Sequence, residues 1–72
     1  MAKTKVTDFK KLGENIRLER LKQKLSRETL GGMADISGAT VANIENNAEK
    51  ALFKNIVAIA KVLNVNLEDI LY

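Results

Sequence analysis

Residues 37–47 read SGATVANIENN: a hydroxyl residue, two of the smallest residues, Val41 and Ile44 three apart, and a closing pair of asparagines. This is one short helix read from end to end. The Ser37 hydroxyl can cap the free amides of the first turn, and Val41 and Ile44 share a face. Asn46 and Asn47 stop the helix, because asparagine tolerates the left-handed conformation common at helix ends. A few residues upstream the same order recurs: Ser26 caps, Arg27 to about Ala34 forms a helix with Leu30 inward, and Asp35 breaks it.

Three further helices flank this pair. The first covers about residues 8–23, capped by Thr7 or Asp8, with Phe9, Leu12 and Ile16 at helical spacing. Arg20 continues that stripe, so a charge stands where an apolar side chain belongs. The fourth, about residues 52–63, is apolar nearly all round, with only Lys54, Asn55 and Lys61 as long polar side chains, and is expected to be central or shared with a partner. The fifth opens at Asn66 as N-cap, with Glu68 and Asp69 in the first turn where the helix dipole favours them. Val65, Leu67, Ile70, Leu71 and Tyr72 form more apolar surface than one face of so short a helix can hide. No run keeps a period of two, so the expected fold class is all-α, with five helices.

Composition narrows the function. At 72 residues the chain holds one small domain and one core, expected over residues 8–72 behind a basic arm at residues 1–7. Without cysteine or histidine it has no disulfide, no thiolate metal site and no near-neutral acid–base group. Neither a cofactor nor a metal is expected. No nucleophile, general base or phosphate-binding loop is assembled, so no catalytic residue is assigned and the chain does not read as an enzyme. Its longest apolar run, residues 56–60, is far short of the roughly 20 residues a membrane span needs, and residues 1–5 (MAKTK) lack an apolar signal core. A cytoplasmic protein is expected. The net charge of +3 is uneven: residues 1–27 carry nine Lys/Arg against three Asp/Glu, and residues 28–72 carry three against six. A basic N-terminal end suits a polyanion, although a solvated helix face and a basic tail explain most clusters of this size.

Residues 27–46 thus carry the residue pattern of a helix-turn-helix, and the chain resembles the phage repressor and Cro-like (Xre-type) DNA-binding domains over about residues 9–72. Residues 25–30 (LSRETL) are similar to that family's approach to helix two, Gly31 stands at its small-residue position, and Ile36, Val41 and Ile44 match the apolar positions that lock the two helices. Residues 59–71 (IAKVLNVNLEDIL) are similar to its C-terminal signature, a helix, a cap and a last helix. Arg20 and Glu45 fall where many members form a partly buried ion pair, which would account for the charge on the first helix. Asp35 and Asn47 replace the glycines usual in the turn and after helix three, and both residue types enter the left-handed region readily.

The resemblance implies that helix three enters the major groove, placing Ser37, Gly38, Ala39, Thr40 and Asn43 near base edges. Only Asn43 has bidentate capacity, toward adenine; Thr40 or Ala39 could meet a thymine methyl, and Gly38 reads nothing. It also implies phosphate contacts at Arg27, Asn46, Lys50 and Lys54, and at Lys3 and Lys5 of the arm. Lys10, Lys11, Arg17, Lys22 and Lys24 on helix one are read as solubility charges. A homodimer through Leu67, Ile70, Leu71 and Tyr72 would bring two reading helices to successive major grooves of double-stranded DNA. Two functions compete: a sequence-specific DNA-binding regulator, by expectation a repressor, or an antitoxin-like or antirepressor-like interaction module using the same fold. The sparse reading helix and the acidic second half favour the latter; the spacing of both motifs supports the fold that the two share, and the resemblance sets the prior for the former.

Overall fold

The computed structural model describes residues 7–72. Its elements are α1 (Phe9–Lys22), α2 (Arg27–Ala34), α3 (Gly38–Asn46), a 3-10 turn (Ala48–Lys50), α4 (Phe53–Leu63) and α5 (Leu67–Leu71). All regular structure among the described residues is helical.

Local chemistry sets the starts. Asp8 accepts the Lys11 amide at 3.1 Å, Ser26 that of Thr29 at 3.0 Å and Ser37 that of Thr40 at 3.0 Å, so three helices open on a side-chain cap. Asn66 stands at the N-cap of α5, yet its side chain makes no capping bond. Three helices also close alike. Lys24, Asp35 and Asn64 adopt φ of 58°, 61° and 58°, and the amides that follow return to Arg20 O, Gly31 O and Ala60 O at 3.1, 2.8 and 3.1 Å.

The expected left-handed ending of α3 does not occur. Asn47 has φ −150° and ψ 63°, and the chain runs on into the 3-10 turn, whose Ala48 is buried beside α1. Burying Ala48 satisfies the next segment without the reversal that a left-handed residue would impose.

Leu12, Ile16, Leu30, Val41, Ile44, Ile56, Ile59, Leu63 and Ile70 form the core with Ala48 and Ala60. Phe9 is a correction: it shares the face of Leu12, Ile16 and Arg20, yet it is the first residue of α1 and is 43% exposed, because the buried part of that face begins only at Leu12. α2 packs against α3 and α4, while α1 packs against α3 and α5. Two side chains tie α1 to the C-terminal half. Gln23 Nε2 donates to Leu63 O at 2.7 Å, satisfying a carbonyl at the end of α4, and Asn15 Nδ2 donates to Ile70 O at 3.1 Å.

Periodicity does not single out Gly13, yet this residue makes the α1–α3 contact possible: a β-carbon there would collide with the Glu45 carbonyl. At Gly31 a β-carbon would lie 2.6 Å from Ile36 O, inside the turn that joins α2 to α3.

Candidate nucleic-acid interface

α3 meets solvent along the edge that carries Ser37, Ala39, Asn43, Asn46 and Asn47. The side chains there differ in what they have left to offer. Ser37 Oγ and Thr40 Oγ1 lie 2.8 Å apart and bond to each other, while Ser37 Oγ also accepts the Thr40 amide. Both hydroxyls are thus engaged in building the first turn. Gly38 is half-buried, and a β-carbon on it would sit 3.1 to 3.2 Å from the Cγ, Cα and N of Glu28. Its smallness therefore serves the close approach of α2 to α3, a demand of packing. Ala39 is exposed, and the exposed Asn43 carboxamide makes no hydrogen bond within the described residues.

Beneath this edge lies a charged cluster. Arg20 Nε donates to Glu45 Oε2 at 2.6 Å and Arg20 Nη2 to Glu45 Oε1 at 3.2 Å, a bidentate pair. Arg20 Nη1 donates to Leu25 O at 2.9 Å, just ahead of α2. The Glu45 side chain is 0% exposed and that of Arg20 8%, so the pair links α1, α3 and the α1–α2 connection from within. Arg27 joins it: its Nε donates to Glu45 Oε1 at 3.1 Å, with its side chain 39% exposed. No local pattern in the sequence signals this third member, because Arg27 and Glu45 lie on different helices.

Two grooves flank α3. One, of about 550 Å³, is lined by Arg27, Asn46, Asn47 and Glu45 together with Lys10 and Arg17 of α1. Lys10 and Arg17, read from sequence as mere solubility charges, therefore share a surface with Arg27. Glu14 and Glu49 line the same groove and offset part of its positive charge. The other groove, of about 470 Å³, is lined by Thr40, Asn43, Asn47 and Lys50, with Leu52 and Asn55. Asn47 reaches both. The structure thus gathers Arg27 with Asn46 on one side of α3, and Asn43 with Lys50 on the other. Lys54 is exposed but lines neither groove, and Lys3 and Lys5 lie outside the described residues.

The expected dimer residues separate. Ile70 is 2% exposed and packs in the core, so it has no surface to give a partner; Leu67 and Leu71 are half-buried and Tyr72 is 40% exposed. Other large apolar side chains reach solvent on different elements: Leu18 and Leu21 on α1, Met33 on α2, Leu52 before α4 and Phe53 at its start. Among the described residues no group of His, Cys, Asp or Glu is placed to hold a metal ion, and no helix is long and apolar enough to cross a membrane.

Known proteins share this architecture. The restriction-modification controller protein C.AhdI from Aeromonas hydrophila superposes with a TM-score of 0.79 at 25% identity, covering 88% of this chain and 96% of that one. The P22 c2 repressor, solved with a synthetic operator, gives 0.75 at 26% identity over 94% and 96% of the two chains. A HipB variant bound to an O2 20-mer gives 0.79 at 22% identity over 90% of each, a likeness of fold alone. No curated protein sequence matches the chain. The family model described as helix-turn-helix matches residues 16–70, most of the chain. With caps, turn, core and grooves in the arrangement above, the chain belongs to the helix-turn-helix family of Xre/Cro-type transcription regulators.

Proposed function

We propose that the protein is a sequence-specific DNA-binding regulator, a repressor in its simplest form, that acts in the cytoplasm as a homodimer on double-stranded DNA. One observation carries this reading. The exposed edge of α3 offers Ala39, Asn43 and Asn47 between two grooves, with Arg27 and Asn46 on one side and Lys50 on the other. A duplex seated with α3 in its major groove would find a cationic or amide-bearing side chain for a phosphate strand on each side. Base readout is narrow in this reading, because Gly38 serves packing and the Ser37 and Thr40 hydroxyls serve the cap. Asn43 and the Ala39 methyl carry most of it, toward adenine and thymine. Leu67, Leu71 and Tyr72 supply the dimer contact, and Lys3, Lys5 and Lys54 add phosphate contacts.

Selection of bound duplexes from a randomised library, at low and near-physiological salt, tests the proposal. A two-fold symmetric site that survives the higher salt supports a dimeric regulator. Binding without enrichment, lost as salt rises, refutes specific recognition.

A second reading keeps the fold for protein contact, in the manner of an antitoxin or antirepressor. It is favoured by the thin readout that α3 offers, with Gly38 given to packing and the Ser37 and Thr40 hydroxyls to the first turn. Sedimentation showing a stable complex with another protein, with no DNA affinity even at low salt, would establish it instead.

A further inference from the structure

This inference rests on the DNA-binding reading above and concerns how its phosphate contact is built. Arg20 alone neutralises Glu45, donating one hydrogen bond to each carboxylate oxygen. Arg27 is therefore a second cation on a carboxylate that is already paired. Two guanidinium groups and one carboxylate leave a net charge of +1, and the exposed member of the cluster is Arg27. Only its Nε is engaged; its two Nη atoms make no hydrogen bond within the described residues. Those atoms belong to a side chain lining the groove shared with Lys10, Arg17, Asn46 and Asn47.

We infer that Glu45 is a positioning residue for phosphate recognition: by holding Nε of Arg27 it sets the plane of the guanidinium and leaves the Nη1–Nη2 edge as a preset fork for one backbone phosphate. The acceptor is suited to that task because it cannot move. Its side chain is 0% exposed, and Arg20 anchors it from α1 while bonding Leu25 O next to α2. A free arginine searches many rotamers before it binds, whereas one fixed at Nε has fewer left to lose, and its planar edge matches two phosphate oxygens. Because Glu45 lies in the last turn of α3, the same carboxylate couples the phosphate fork on α2 to the placement of the reading helix.

The test uses the whole chain, a short duplex of random sequence and a salt titration, with Arg27→Gln and Arg27→Lys checked for folding by circular dichroism. Arg27→Gln removes the charge, and is expected to lower affinity roughly tenfold and reduce the slope of log affinity against log salt by about one. Arg27→Lys keeps the charge and so the slope, yet is expected to lose roughly fivefold, since one ammonium cannot serve carboxylate and phosphate in a fixed fork. In nitrogen-15 spectra the Arg27 Nε–H signal should persist unmoved when DNA is added, while its Nη signals shift. Affinity of Arg27→Lys equal to wild type would show that charge alone matters. An unchanged slope in Arg27→Gln would make Arg27 purely structural, and loss of the Nε signal on binding would show that it lets go of Glu45. Failure of the wild-type chain to bind at low salt would sink the DNA-binding reading itself, and is seen before any variant is compared.

Discussion

Glu45→Ala removes the acceptor of three charged hydrogen bonds at once, from Arg20 Nε, Arg20 Nη2 and Arg27 Nε. The two arginines suffer unequally. Arg27, with its side chain 39% exposed, can turn to water; Arg20, 8% exposed, cannot, and keeps only its bond to Leu25 O. Breaking a buried pair from one side leaves an uncompensated charge and costs about 3–5 kcal/mol. A domain of this size holds on the order of 4–11 kcal/mol in total, from roughly 0.05–0.15 kcal/mol per residue. The variant therefore keeps a fraction of its stability or none. Arg20→Met combined with Glu45→Leu removes both charges and fills the space with apolar atoms, so it should come back to within about 1 kcal/mol of wild type or exceed it. Urea unfolding followed by far-ultraviolet circular dichroism on the three proteins decides. A single variant that loses less than about 1 kcal/mol, or a double variant as unstable as the single, would refute the account of a buried pair held for its charge balance.

Lys24 closes α1 at φ 58°, where a β-carbon is crowded, so Lys24→Gly should raise stability by about 0.5–1 kcal/mol in the same unfolding assay. Gly32 lies inside α2 with open space where its β-carbon would be, and Gly32→Ala should gain about 0.5–1 kcal/mol, read as a shift of the urea midpoint. Gly38→Ala runs the other way, because the new methyl would press on the backbone of Glu28; a loss of about 1 kcal/mol or more is expected, and a thermal melt showing a gain would remove the packing role assigned to Gly38. Asn43→Ala should relax preference at one base position of the selected site with little change in stability, as a repeat of the library selection would reveal.

What could be read along the chain followed the range of the interactions involved. Caps are contacts between neighbours three apart, so Ser26 and Ser37 are legible from composition and order alone. The buried stripe of α1 is legible for the same reason, since Leu12 and Ile16 are one turn apart; Phe9 misled because spacing says nothing about where a face ends. Asn47 misled because its residue type permits a left-handed ending without requiring one, and the burial of Ala48 decided against it. In the candidate interface, residue types suggested Asn43 and Arg27. They could not say that Arg27 is held by Glu45, that Lys10 and Arg17 share its groove, or that Gly38 answers to Glu28.

By itself, then, the amino-acid order determined the number of α-helices, the side-chain caps of the first three and the all-α class, and through two spaced motifs the family to which the chain belongs. These are properties of residues within a turn or two of one another, where the period of the helix and the chemistry of its ends suffice. Tertiary structure alone decided that Ile70 is enclosed, that Gly38 answers to packing and the Ser37 and Thr40 hydroxyls to the first turn of α3, and that one buried carboxylate joins three helices. Each of those depends on distances between residues far apart in the chain, and such distances exist only once the helices have packed.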